Sequence, residues 1–400
     1  MSIVRPFPGL RPPRDKVSKV VAPPYDVVSS AEARAYAEGN PLSFFHISRP
    51  EIDLPGTDEH APEVYQRGRE NMLRFKKEGV LTADPKPCFY LYRQKMGEHV
   101  QTGLVAAASV DEYQKDLIKK HELTRADKED DRTQHIDLLS ANDEPVFLTY
   151  PAKEKIDGLV DRLTSAAPTY EMTTDDGIEH TFWVVGEDED IAAIRGEFGR
   201  IEALYVADGH HRSAAASRVR ELRRERAGEG HTGEEEYNFF LAVIFPHDQM
   251  HIMDYNRVVK DLRGLSKEEF LGRVGAAFDA HRFCMYLDGS WYSLYAKEGS
   301  YDSSDPVASL DVAILQDNLL RPVLGIENPR TDKRIDFVGG IRGTKELEKR
   351  VDSGEWAVAF SMFPTSIEEL MAIADAGKTM PPKSTWFEPK LRSGLVVHEF

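Results

Sequence analysis

The sequence predicts a mixed α/β protein, and three observations support this. Segments with helical spacing of apolar residues alternate along the chain with short runs rich in aromatic and β-branched residues. Two serine–glutamate pairs, Ser29 with Glu32 and Ser266 with Glu269, stand at capping-box spacing and mark helix starts. A strand-like run at 203–207 passes through Gly209 into a helical run at about 213–226. The 400 residues suit two or three domains rather than one.

The elements follow in order. Residues 20–27 are apolar and then rigid, because Pro23 and Pro24 fix the backbone and remove ladder donors. The helix opened by Ser29 should end at Gly39. A second helix is expected over 62–77, where Val64, Tyr65, Met72 and Phe75 recur at near-helical spacing before Gly79. Residues 89–93 and 100–110 read as strands. The stretch 119–137 is polar and dense in ionisable groups, and its part from 118 to 132, taken alone, reads as a charged surface loop with internal ion pairs. Further strands are expected at 146–150, 181–185 and 238–245, the last one buried. The arginines at 218, 220, 223, 224 and 226 are interleaved with Glu221 and Glu225, which suggests a solvated helix face. Residues 380–390 hold too much proline for regular structure.

Charge narrows the function classes. Lysine and arginine number 51 against 68 aspartates and glutamates, a net charge of −17. Such a surface repels phosphate backbones and anionic lipid, so neither nucleic acid nor membrane is the expected partner. The two cysteines, Cys88 and Cys284, lie far apart, so a disulfide framework and a cysteine zinc site are both unsupported. The apolar run 239–245 is far too short to cross a bilayer, and a soluble, cytoplasmic protein is expected.

Three segments carry chemistry. In the first, Asp208-Gly209-His210-His211-Arg212 joins a strand to a helix. Free N–H groups and the helix dipole at such a junction attract anions, and Arg212 can form paired hydrogen bonds to a phosphate. A metal site built from Asp208, His210 and His211 is the weaker alternative, because adjacent histidines usually diverge. In the second, His121-Glu122 follows a strand, and Glu122 could act as general base on a hydroxyl. The third, from Pro381 to Lys390, either offers Lys383, Ser384 and Thr385 to a ligand or is a tail packed by Trp386 and Phe387.

Taken in order, these segments resemble the family catalogued as domain of unknown function 1015. Its matching pieces here are residues 22–27, 121–124, 208–212, Tyr255-Asn256-Arg257, and 381–390. The Asp-Gly-His-His-Arg turn is also similar to the phosphate-binding turn of the ParB/sulfiredoxin-like superfamily, and within it to the archaeal free-serine kinases. This resemblance implies a ParB/sulfiredoxin-like core at 105–262. An N-terminal region at 1–104 would precede it, and a C-terminal α/β domain on the substrate side would follow at 263–400. It implies phosphoryl transfer from ADP or ATP, with Mg²⁺ bridging the phosphates, to a small-molecule hydroxyl, free L-serine first. Glu122 beside His121 would then be the base, and Asp208, Gly209, His210, His211 and Arg212 would hold the nucleotide. Lys383, Ser384, Thr385 and Arg257 would face the acceptor. No residue is expected to be a dedicated metal ligand. The kinases continue their Pro-Lys-x-Thr stretch with Arg-His where this chain has Trp386-Phe387. The first hundred residues have no counterpart in them. A nucleotide-binding regulatory protein without catalysis and a metal-dependent hydrolase are the alternative readings.

Overall fold

A computed structural model describes residues 2–277 and 282–400. The chain forms two units, one of Met1–Met250 with Pro389–Phe400, the other of His251–Glu388. The sequence suggested three regions, with boundaries at 104 and 262.

The first unit is built on nine strands: β1 (Val4–Arg5), β2 (Phe89–Met96), β3 (His99–Ser109), β4 (Ile118–Lys119), β5 (Val146–Tyr150), β6 (Tyr170–Thr173), β7 (Glu179–Val185), β8 (Leu204–Asp208) and β9 (Phe239–Pro246). They lie in the order β4-β8-β5-β9-β3-β2-β7-β6, with β1 beside the end of β3. Two pairs are parallel, β8 with β4 and β9 with β5; the other pairs are antiparallel. β5 is buried along its whole length, and β9 along all but its first residue. That is why both read as continuous apolar runs rather than alternating ones. Gly103 of β3 has no room for a side chain, since a Cβ there would come within 2.9 Å of Val243 and Phe245.

Helices cover this sheet. α1 (Ser30–Ala37) starts with the Ser29–Glu32 capping box, and α2 (Pro62–Lys77) begins on its proline, as expected. Only the first part of the charged stretch is a loop: residues 120–125 are irregular, but α3 (Ala126–Leu139) runs through the rest. Its buried face holds Asp131, Arg132 and His135 as well as Ile136 and Leu139, so apolar periodicity could not reveal it. α4 (Glu154–Thr164) and α5 (Asp188–Phe198) pack Leu159, Val160, Ile194 and Phe198 onto the core formed with Leu91, Leu104, Leu148, Val206 and Ile244. α6 (His210–Ala227) lies along α3, and its arginines are not simply solvated. Arg218 bonds Glu129 and Asp130, while Arg223 and Arg226 both bond Asp137.

The last residues return to this unit. Ser393 and Ala22 exchange backbone hydrogen bonds, as do Val397 and Leu10. The C-terminal strip thus closes against the N-terminal segment that carries Pro23 and Pro24.

The second unit has an antiparallel sheet of five strands: β10 (Tyr255–Val259), β11 (Arg282–Leu287), β12 (Ser290–Tyr295), β13 (Ile335–Gly339) and β14 (Val358–Ser361). Their order is β12-β11-β14-β10-β13. α7 (Lys267–Ala277) follows the Ser266–Glu269 pair, whose reciprocal hydrogen bonds are formed. α8 (Gly343–Asp352) packs Leu347 and Val351 on Val258, Val338 and Ala359. α9 (Ile367–Asp375) has a capping box of its own, Ser366 with Glu369. The proline-rich segment is more regular than its composition suggested, because Trp386–Glu388 pairs with His251–Met253. Among the described residues, no helix is long and apolar enough to cross a membrane.

Candidate functional site

β8 delivers Asp208 to the start of α6 through a single residue, Gly209. Its φ of 94° lies in the left-handed region, and a Cβ would sit 3.4 Å from the Val146 backbone and 3.6 Å from the Arg212 guanidinium. The helix therefore begins at His210, three residues before its expected start, and its first-turn N–H groups open beside Asp208. Asp208 accepts from the Gly209 N–H at 2.8 Å and from Lys390 Nζ at 2.9 Å. Burial alone would raise this carboxyl, but Lys390 and Arg212 outweigh it and hold the group far below the usual carboxylate range.

His121 and His210 meet edge to face, with ring centroids 4.4 Å apart, and both are buried. Burial pushes His121 down to about 4 and holds His210 well below its ordinary value, so both rings are neutral at pH 7. His210 Nδ1 lies 3.9 Å from Glu122 Oε2. Among the described residues, His210 Nε2 is buried without a hydrogen-bond partner, and Asp208 and the Val206 backbone are the groups that favour a proton on His121. His211 turns elsewhere, accepting the Arg125 N–H at 3.0 Å. The two adjacent histidines thus diverge, as the weaker metal reading required them not to. Among the described residues, no group of three or more His, Cys, Asp or Glu side chains is arranged to hold a metal ion.

Arg212 is held from more than one side. It donates to the Pro145 carbonyl and, at 2.8 Å, to Asp26 Oδ2. Its Nε lies 3.9 Å from Glu144 Oε2, and among the described residues neither atom has a hydrogen-bond partner. A void of about 10 Å³, the size of one water, is lined by Tyr25, Arg132, Glu144 and Arg212 among others. The Tyr25 ring has the Arg132 guanidinium 4.1 Å from its centroid and that of Arg212 at 5.8 Å. Glu144 accepts from the Tyr25 N–H at 3.0 Å and the Ser393 hydroxyl at 2.9 Å. Burial raises its carboxyl, partly offset by Arg212, so it is readily held neutral.

Sequence reasoning placed Glu122, His121 and residues 208–212 near one another in role, and the fold gathers them in the first unit. It missed Asp26, Arg132, Asp143 and Glu144 as companions of the turn. Arg132 and its neighbour Asp131 lay in the charged stretch, but Asp143 and Glu144, which precede Pro145, carried no local signal at all.

The remaining candidates lie in the second unit. Arg257 is buried, donates to the Tyr255 and Lys383 carbonyls, and lies 5.4 Å from the Phe337 ring centroid. No carboxylate among the described residues forms an ion pair with it, and burial pushes its guanidinium down to about 10. Lys383 adopts a φ of 58°, unusual for a side-chain-bearing residue, and its Nζ lies 5.5 Å from the Tyr255 ring centroid. The Ser384 hydroxyl donates to the Pro381 carbonyl, and Thr365 donates to the Ser384 carbonyl. Thr385 is half-buried beside them.

Fold and site together define a mixed α/β protein with a charged polar site at a strand–glycine–helix junction. The chain belongs to the family described as protein of unknown function (DUF1015), whose profile matches residues 4–313. No curated protein matches it. Among solved structures it is similar to a conserved hypothetical protein from Pyrococcus furiosus, at 13% identity and a TM-score of 0.35, over 73% of this chain and 95% of that one. It is similar to a free serine kinase in complex with AMP, at 12% identity and a TM-score of 0.36, over 73% and 91% of the two chains. A C-terminally truncated SbnI from Staphylococcus aureus matches at 12% identity and a TM-score of 0.34, over 73% and 86%. Likeness at this level assigns neither a substrate nor residue roles.

Proposed function

We propose that this protein moves a phosphoryl group from ADP or ATP to the hydroxyl of a small metabolite, with free L-serine the first acceptor to test. The observation that supports it most is the strand–glycine–helix junction itself. Lys390 sits 2.9 Å from Asp208 at the helix start, and the Glu122 carboxylate lies 3.9 Å from His210. Phosphoryl transfer asks mainly for positioning and charge neutralisation, which a cation and the free amides of a helix start supply.

On this reading the core is ParB/sulfiredoxin-like, and Asp208, Gly209, His210, His211 and Arg212 hold the nucleotide phosphates together with Lys390. Glu122 takes the proton of the acceptor hydroxyl as its oxygen attacks the terminal phosphorus. The bond to the bridging oxygen breaks, leaving AMP from ADP or ADP from ATP. His121, neutral and buried, holds the His210 ring in place. Lys383, Ser384, Thr385 and Arg257 face the acceptor, and Arg257 suits an acceptor that carries a carboxylate. Mg²⁺ would come bound to the phosphates, as it usually does in such sites, and no step is assigned to a metal cage of protein side chains. A cytoplasmic location and the absence of nucleic-acid or membrane partners belong to the same reading, in keeping with the net charge of −17.

The test is a panel of small hydroxyl metabolites incubated with ATP and with ADP and read by mass spectrometry. A product heavier by one phosphoryl group supports the proposal. Tight nucleotide binding with no phosphorylated product would favour the regulatory alternative.

A further inference from the structure

The N-terminal segment supplies the turn's arginine with a counter-ion. The Arg212 side chain is 7% exposed and that of Asp26 is 38% exposed. Of the groups that meet the guanidinium, the Pro145 carbonyl is fixed in backbone and Glu144 is buried. Asp26 is the one that reaches solvent. A buried guanidinium left without an anion is costly, which favours an anion at this edge when no ligand occupies it.

We propose that Asp26 is a tethered stand-in for a ligand phosphate: it occupies the solvent-facing edge of Arg212 and swings out when a phosphate group takes its place. This rests on the reading of the 208–212 turn as a phosphate site. The exchange is local. Tyr25 stays anchored through its N–H on Glu144 and its ring against Arg132, while rotation about the Asp26 side chain carries the carboxylate into water. One anion leaves as another arrives, so Arg212 is paired in both states. Pro23 and Pro24, immediately before, stiffen the segment and keep Asp26 within reach of its arginine in the free protein.

A competitor inside the chain weakens the ligand that must displace it, and removing it has the opposite effect. In the full-length protein, Asp26→Asn and Asp26→Ala should bind ADP and inorganic pyrophosphate about tenfold more tightly than wild type, the scale of one charge-assisted hydrogen bond. In an Arg212→Gln background the same substitutions should change affinity little, which a double-mutant cycle by calorimetry reads directly. Unchanged or weaker binding in the Asp26 variants, with wild-type folding, overturns the proposal. So does loss of folding in both, since a counter-ion the fold cannot spare is not one a ligand displaces. If wild type binds neither ADP nor pyrophosphate, the phosphate-site reading fails, a result distinct from an unaltered affinity in the variants.

Discussion

Lys390 and Asp208 are separated by 182 positions in sequence, yet Nζ of one lies 2.9 Å from Oδ2 of the other. The lysine is held from behind. The buried Gln94 side chain donates to the Lys390 carbonyl at 2.9 Å, and buried Gln101 donates to Gln94 at 3.0 Å. A hairpin of β2 and β3 thereby aims a cation at the start of α6.

Replacing that cation should disarm the turn. Lys390→Met keeps the stem and removes the charge, so nucleotide affinity should fall by about 1.5–3 kcal/mol, the worth of a hydrogen bond to a charged group. Isothermal calorimetry with ADP and ATP measures it. An affinity equal to wild type would separate Lys390 from the phosphates and leave it a structural partner of Asp208.

Glu122 should act in the chemical step and not in binding. Glu122→Gln preserves shape and removes the base, so turnover should drop by about 10²–10⁴-fold with nucleotide affinity nearly unchanged. Steady-state rates beside a binding isotherm separate the two effects. Full activity in the variant would return Glu122 to the role of a surface carboxylate.

Arg257 offers a prediction of opposite signs. Among the described residues no carboxylate pairs with its buried charge, which opposes folding. Arg257→Met should therefore leave stability to urea no lower than that of wild type. If the acceptor carries a carboxylate, the same variant should raise the acceptor KM about tenfold or more while leaving nucleotide affinity alone. A KM that does not move, or a neutral polyol used as well as serine, would exclude this residue as the carboxylate's partner.

Acid should destabilise the fold through its buried histidines. Burial pushes His121 down to about 4 and His180 down to about 3, where Tyr92 and Thr174 also meet the His180 ring. Both bind protons more readily once unfolded, near pH 6.5. Their contribution is complete above that pH and declines as pH falls toward the folded values. Between pH 7 and pH 5 each should cost about 2 kcal/mol of stability. Urea melts across this range should show the decline, and His180→Asn should flatten it by about one histidine's share. A flat wild-type profile would contradict the assignment.

Local chemistry determined a good deal by itself. The Ser29–Glu32 and Ser266–Glu269 pairs, the Pro62 start, the apolar strands β5 and β9 and the glycine junction before α6 are each specified by residues close in sequence. Capping, periodicity and positive φ act over one or two turns of chain, so a linear reading reaches them. α3 escaped because its buried face is ionic: Asp131 takes Arg132 and the Tyr65 hydroxyl, and His135 takes Asp143. Its helical period is carried by charges, whose burial is favourable only once partners from elsewhere arrive. The same holds for the site. The sequence could single out residues 208–212, but not that Asp26, Glu144 and Lys390 would surround them. Those charges come from the start, the middle and the end of the chain. Only the pairing of Ala22 with Ser393 and the order of strands in the sheet bring them together, because an ion pair is chosen by distance in space, on which separation in sequence has no bearing.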